Sequence, residues 1–270
     1  MTRRDPMQPI WNRARFKQTG KDTFLSNYWP FVGVCVLLAL LSGDLFNLQL
    51  QQTSRELVSN SILIYDDPSL GNAVAYGAQL LSPYLAPFVA GSLLLSLLVV
   101  FPLQVGASRF FLESRPGYKA PFQRIGHGFV ENYGNVFLTG LFKWLFTLLW
   151  SLLFLIPGII RSFGYFAVPY ILAENPNLDH SRALQLSLQM TKGYKWDIFV
   201  LELSFLGWFL LSGISFNIAG IFYVNPYYQA TLAEAYRFLR ENAMANGYTN
   251  RSELPGTQPP LWSSGTGVGL

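Results

Sequence analysis

Among the ionisable side chains inside apolar runs of this 270-residue chain are Asp44, Lys143, Arg161 and Glu202. A charge at membrane depth costs several kcal/mol unless it is paired or hydrated, so such groups mark where a membrane protein can do chemistry. Lys143 follows Tyr133 by ten residues, and Glu202 follows Tyr194 by eight. At about 1.5 Å per helical residue, each lies roughly 12–15 Å beyond an interfacial tyrosine. The two have opposite sign on helices that begin alike, so one expectation is an ion pair inside the bundle. The other has Lys143 snorkelling to the headgroups, with Glu202 protonated or facing a wet crevice. Asp44 and Arg161 fall near the outer ends of their runs. They can close the outer face as a second pair, but exposed pairs are weak, and two independent interfacial charges are the expectation.

Signatures of soluble catalysis are missing from the sequence: there is no Walker loop, no His-Glu-x-x-His and no cysteine pair. No catalytic residue, cofactor or metal is therefore expected, and the chain is not read as an enzyme. His127 and His180 lack the second His or Cys that a zinc site needs. Asp66-Asp67 precedes Pro68 and reads as a solvated turn. Cys35, inside an apolar run, reads as a small buried or lipid-facing residue. Trp29, Trp144, Trp150, Trp196 and Trp208 form an aromatic belt more readily than a binding cage. Pro102, Pro169 and Pro226 read as helix kinks, with exposure of carbonyls to an ion as the sharper alternative.

The elements that position these residues follow from hydropathy. Hydrophobic residues make up 51% of the chain and charged ones 13%, about half the charged share of a soluble domain. Apolar runs cover about 28–48, 73–105, 135–156, 159–174, 196–215 and 218–235. The third is expected to stop at the Pro157-Gly158 turn. The fourth and sixth are shorter than the roughly 20 residues that a bilayer core needs. They are tilted, kinked, or halves of a re-entrant hairpin. Residues 1–26 are basic with Ile10, Trp11 and Phe16 interleaved, which suits a helix on a membrane surface. Ser181–Lys192 reads as a short amphipathic helix stopped by Gly193. The tail is rich in Gly, Pro, Ser and Thr and is expected to be disordered.

The net charge is +4, and its distribution matters more than its size. Sixteen of the 19 Lys and Arg fall in segments 1–26, 106–134, 175–195 and 236–270. By the positive-inside rule, both termini are expected in the cytoplasm.

Three stretches share one layout. Each starts at an interfacial tyrosine, in Asn27-Tyr28-Trp29, Asn132-Tyr133-Gly134 and Gly193-Tyr194-Lys195-Trp196. Each then runs out and returns to a proline with a small residue four positions on: Pro102 and Gly106, Pro169 and Ala173, Pro226 and Ala230. The last two also share Leu-Ala-Glu, at Leu172-Ala173-Glu174 and Leu232-Ala233-Glu234. All three start on the same side, which predicts a parallel repeat about the membrane normal.

The second half resembles the bacterial integral membrane family catalogued as domain of unknown function 975. The residues that carry this resemblance are Leu149–Ile160, Pro169-Tyr170-Ile171-Leu172-Ala173-Glu174-Asn175-Pro176, Lys192–Trp196, Leu203–Trp208, Pro226-Tyr227-Tyr228 and Ala233-Glu234. The resemblance implies a multi-pass protein of the bacterial cytoplasmic membrane and no established activity.

The expectation is thus an all-α, multi-pass transmembrane helical bundle. It has about six membrane segments in three parallel helix-hairpin repeats, with interfacial amphipathic helices. Residues 1–26 form a cytoplasmic basic segment, 27–242 the membrane domain and 243–270 a disordered cytoplasmic tail. The expected function is a non-catalytic membrane module interacting with partner proteins or lipids; the alternative is a transporter or channel for a small or amphipathic solute. The bilayer is the first partner, another membrane protein or a second copy of the chain the next, and nucleic acid is none.

Overall fold

The computed structural model describes residues 11–41, 83, 91, 94–153, 155–215 and 218–256. Asp44, Asp66-Asp67, most of the run 73–105 and the stretch 257–270 lie outside the described residues. Two compact units divide the chain, Met1–Val36 with Phe101–Leu270 and, separately, Leu37–Val100. Among the described residues the structure is helical, with one isolated bridge at Arg115 and Tyr118.

Helix α1 (Arg13–Ser26) begins where the Asn12 side chain accepts the Arg15 amide at 3.0 Å, satisfying an N–H that the helix start leaves free. It ends at Asn27, and α2 (Tyr28–Leu41) departs at 98°. The corner is pinned by the Asn27 amide, which donates to the carbonyls of Thr23 and Arg115, each at 3.1 Å. Next come α3 (Phe101–Glu113), a 3-10 turn at Phe122–Gly126, α4 (His127–Val130) and α5 (Tyr133–Leu153). They are followed by α6 (Leu155–Gly164), α7 (Val168–Glu174), α8 (His180–Met190), α9 (Lys195–Leu203), α10 (Leu206–Ile214) and α11 (Asn225–Ala245).

Among the described residues, three helices are long and apolar enough to cross a membrane: Ser96–Glu113, Tyr133–Leu152 and Lys195–Gly213. The bent pair α1 and α2 makes a fourth if it counts as one span. The expected segment 159–174 is broken at Tyr165–Ala167, and 218–235 opens with a π-helical turn at Gly220–Val224. Only 17% of the Tyr133–Leu152 stretch is buried, and Leu145, Leu148, Leu149 and Leu152 stand exposed on it. An apolar surface of that kind is not left to water in a stable soluble protein.

The prolines explain the breaks. Pro102, Pro169 and Pro226 are each the second residue of a helix, α3, α7 and α11. Each follows a distorted turn: π-helical at Ser96–Val100 and Gly220–Val224, irregular at Tyr165–Ala167. A proline ring clashes with the carbonyl four residues back and offers it no N–H, so the preceding turn widens or opens.

One expectation is corrected at Pro157-Gly158. Helix α5 already ends at Leu153, and both residues lie in the first turn of α6. Proline is tolerated there because its missing N–H is one the helix start leaves unpaired anyway. Gly158 serves the packing instead: a Cβ on it would sit 2.2 Å from the Ser151 hydroxyl, so its absence lets α6 descend close along α5.

Three polar segments each lie on a helix that follows one of these prolines. Helix α1 crosses α11, with Phe16 on Phe238, Gly20 on Thr231 and Phe24 on Tyr223. The segment Phe122–Val130 lies on α3, where a Cβ on Gly128 would meet the Pro102 carbonyl at 2.1 Å. Helix α8 lies on α7, and its Ser187 and Thr191 hydroxyls donate to the Gly164 carbonyl at 2.8 and 3.2 Å. The expected disordered tail is also corrected for 243–256. Helix α11 runs to Ala245, and the chain then folds back so that Leu254 is fully buried. Composition argued for disorder, but one ion pair, several hydrogen bonds and one buried leucine hold this stretch down.

Candidate functional site: a clasp of arginines and glutamates

Helices α3, α7 and α11 each carry a glutamate beyond their proline, buried at Glu113 and Glu174 and half-buried at Glu234. Each meets an arginine. Glu113, 5% exposed, takes Arg109 Nε on one oxygen at 2.6 Å and Arg124 Nε on the other at 2.9 Å. Glu174, 3% exposed, lies 3.0 Å from Arg240 Nε and accepts the Gly256 amide at 3.0 Å. Glu234 pairs with Arg237 one turn on.

The arginines then reach across. Arg109 donates to the Ala173 carbonyl at the end of α7 at 2.7 Å. Arg237 donates to the carbonyls of Leu112 and Ser114 at the end of α3, at 2.7 and 3.2 Å. Arg240 donates to the Leu254 carbonyl at 3.1 Å. The last carbonyls of a helix have no partner within it and carry partial negative charge, so a guanidinium there satisfies them and complements the helix dipole. The clasp thus ties the C-terminal ends of α3 and α7 to α11. His127 sits beside it, 9% exposed, with Nδ1 3.6 Å from Glu131. Burial holds His127 below the ordinary histidine pKa, with Glu131 opposing and Arg109 and Arg124 adding to the effect.

The folded-back segment completes this end. Arg182 of α8 grips Glu253 through Nε at 2.5 Å and through a terminal nitrogen at 2.9 Å, and Thr249 donates to the same carboxylate at 2.7 Å. The Asn175 side chain donates to the Glu253 carbonyl at 3.0 Å. Arg182 holds the Glu253 carboxyl below the usual carboxylate range. A carboxylate with a lowered folded pKa contributes stability above its unfolded value and loses it on acidification. As the pH falls below about 4.3, residues 247–256 are expected to detach. Limited proteolysis or amide exchange across Thr249–Gly256 measures this, and in Arg182→Gln the segment should already be loose at neutral pH.

Among the residues singled out by sequence, Lys143 and Glu202 do not meet, which corrects the pairing. Lys143 Nζ sits 5.6 Å from the ring centre of Phe101 on α3, while Glu202 faces the Tyr228 hydroxyl on α11. Depth along a helix was legible, but the two side chains point to different neighbours. Arg161 lies over Trp150 and Tyr165, 5.3 and 5.5 Å from the ring centres, an arrangement in which the ring faces attract the cation. Its suggested partner Asp44 is outside the described residues. His180 stacks on Phe142 at 4.9 Å, with Nδ1 3.3 Å from Asp179, the cap of α8. Among the described residues no group of three His, Cys, Asp or Glu side chains is placed to hold a metal.

Sequence reasoning passed over the clasp because it looked for charges at depth. Two signals were available: the recurring Leu-Ala-Glu, and the helical spacing of Arg109 to Glu113 and Glu234 to Arg237, which brings side chains onto one face.

Fold and site define a protein whose described residues are helical, with three or four apolar spans among them and helix ends joined by arginine–glutamate pairs. Residues 92–243 match the family described as Protein of unknown function (DUF975); the match covers more than half of the chain, and the chain belongs to that family. No curated protein and no solved structure matches it. The matched range contains the Glu113, Glu174 and Glu234 pairs with all their arginines, and stops short of Glu253.

Proposed function

We propose that the chain is a multi-pass protein of the bacterial cytoplasmic membrane with both termini inside, and that it works as a non-catalytic module holding lipid or a partner protein, another copy included. The observation that carries this is the clasp: its cations are engaged by glutamates and helix-end carbonyls of the same chain, as in a scaffold. The membrane placement is supported by the exposed apolar faces of Tyr133–Leu152 and Lys195–Gly213. Trp29 and Trp196, both strongly exposed near helix starts, fit a lipid–water interface. Six membrane segments in three hairpins are supported by the packing order. Each polar segment lies against the returning helix of the repeat before it, 122–130 on α3, α8 on α7, and α1 on α11. The alternative, transport of a small solute, is favoured by one observation, the half-buried Tyr228 hydroxyl set against Glu202 within an apolar stretch.

Two measurements test the reading. Single cysteines at Lys119 and Ser252, in a Cys35→Ala background, should resist a membrane-impermeant maleimide in intact cells and react after lysis. Labelling from outside at either position overturns the orientation. Purification in native lipid should bring down a stoichiometric lipid or membrane protein; a bare chain that moves a solute across vesicles would establish the alternative.

A further inference from the structure

Two cations stand apart from the clasp, on helices that border exposed apolar surface. Arg161 lies in the last turn of α6, and Lys195 opens α9. Packing brings them to one place. The Phe163 and Phe199 rings meet edge-on at 5.7 Å, which sets α6 against α9. Gly164 leaves the opening: a Cβ on it would lie 3.5 Å from both Cε and Nζ of Lys195. Gly164 follows Arg161 by three residues, so the two share a helix face. The Lys195 ammonium therefore enters beside the guanidinium, and it feels the positive charge of Arg161.

Every arginine of the clasp has its glutamate. These two cations have none: among the described residues neither forms an ion pair, and Arg161 Nε is buried with no hydrogen-bond acceptor. The faces of Trp150 and Tyr165 steady the guanidinium, but a ring face supplies no oxygen to its N–H groups. An arginine does not shed its proton, so away from water it needs an acceptor from elsewhere. The surface around the pair is apolar. Ile159 and Ile160 stand exposed just before Arg161, and Trp196, 71% exposed, follows Lys195. The ligand that suits such a place brings several anionic oxygens for the two cations and hydrocarbon for the surface beside them.

We propose that Arg161 and Lys195 together bind the phosphate group of an anionic phospholipid of the inner leaflet, with its acyl chains along Ile159 and Ile160. A guanidinium offers paired N–H groups to phosphate oxygens, and the ammonium adds a compact charge. Basic pockets between membrane helices on the cytoplasmic side hold anionic headgroups in this way. Trp196 takes the headgroup level at which tryptophans collect. Arg161 thereby belongs with Lys195 at the inner interface, not at the outer end of its run. This rests on the membrane placement proposed above and names the lipid that the module holds.

The test titrates the full chain in detergent with phosphatidylglycerol and, separately, with phosphatidylcholine, and counts bound lipid by native mass spectrometry. One phosphatidylglycerol should be held per chain. Arg161→Gln and Lys195→Gln should each weaken it at least about tenfold, the worth of one charge-assisted contact, and leave the weaker phosphatidylcholine binding unchanged. Arg251→Gln, at an exposed cation of the folded-back segment, should bind as the native chain does. Should Arg161→Gln fail to fold, Lys195→Gln decides alone, since its side chain is half-buried at a helix start. Equal phosphatidylglycerol binding by native and Lys195→Gln proteins overturns the site, as does equal binding of the two lipids. Displacement of phosphatidylglycerol by an equal concentration of inorganic phosphate overturns the lipid as ligand and assigns the cations to a free anion. The maleimide labelling at Lys119 and Ser252 is independent of these results, so failure of the lipid site and failure of the membrane placement are told apart.

Discussion

Glu113→Ala is expected to lose about 3–5 kcal/mol of stability, the cost of removing one partner from a buried ion pair. Both oxygens of Glu113 are engaged, by Arg109 and Arg124, and its side chain is 5% exposed. Alanine leaves Arg109, itself only 18% exposed, facing a void. The loss should spread, because Arg109 is then free to leave the Ala173 carbonyl and α7 loses its tie to α3. Thermal unfolding in detergent, read by tryptophan fluorescence, measures the drop. The triple variant Arg109→Met, Glu113→Leu, Arg124→Met should recover much of it, since replacing a whole buried pair by apolar groups is often neutral or better. If the triple variant is as unstable as the single one, the pair's role is specific geometry rather than mutual neutralisation.

Gly106→Ala is expected to be more damaging than its one added methyl suggests. A Cβ there would lie 1.8 Å from the Ile125 carbonyl oxygen and 2.5 Å from its carbon. Both are backbone atoms, so no side chain can turn aside. Nor can the segment slide, because Gly128 lies just as close to the Pro102 carbonyl. The cost should reach or exceed the top of the roughly 1–3 kcal/mol seen for overpacked cores, with loss of folded protein in the membrane fraction. Gly134→Ala is the control. It is on α5 with nothing within 4 Å of its would-be Cβ, and alanine there should stabilise by up to about 1 kcal/mol. Comparable losses at both glycines would mean that Phe122–Val130 does not lie on α3 as described.

Much of the architecture was legible from residue type and spacing. The helical runs 135–156 and 196–215 lie close to α5 and to α9 with α10. The three prolines fall at one equivalent place in three helices, because their missing N–H acts within a single turn. The turn at Pro157-Gly158 was misplaced because the same two residues that stop a helix also begin one. Glu113, Glu174 and Glu234 were visible as residues but not as a site, since what defines them is the arginine and the helix end each one meets.

By itself, the sequence determined that this chain builds apolar helices, that Pro102, Pro169 and Pro226 distort them, and which segments gather its positive charge. These depend on neighbours within a turn or on composition along a run, and hydropathy reports both. The tertiary structure alone decided that Lys143 faces Phe101 while Glu202 faces Tyr228, that Arg109 and Arg237 cap other helices, and that residues 246–256 fold back. The reason is that periodicity gives a side chain's height on its helix but not which neighbouring helix lies in front of it. Half of the clasp's partners, moreover, are backbone carbonyls, which every residue type offers alike.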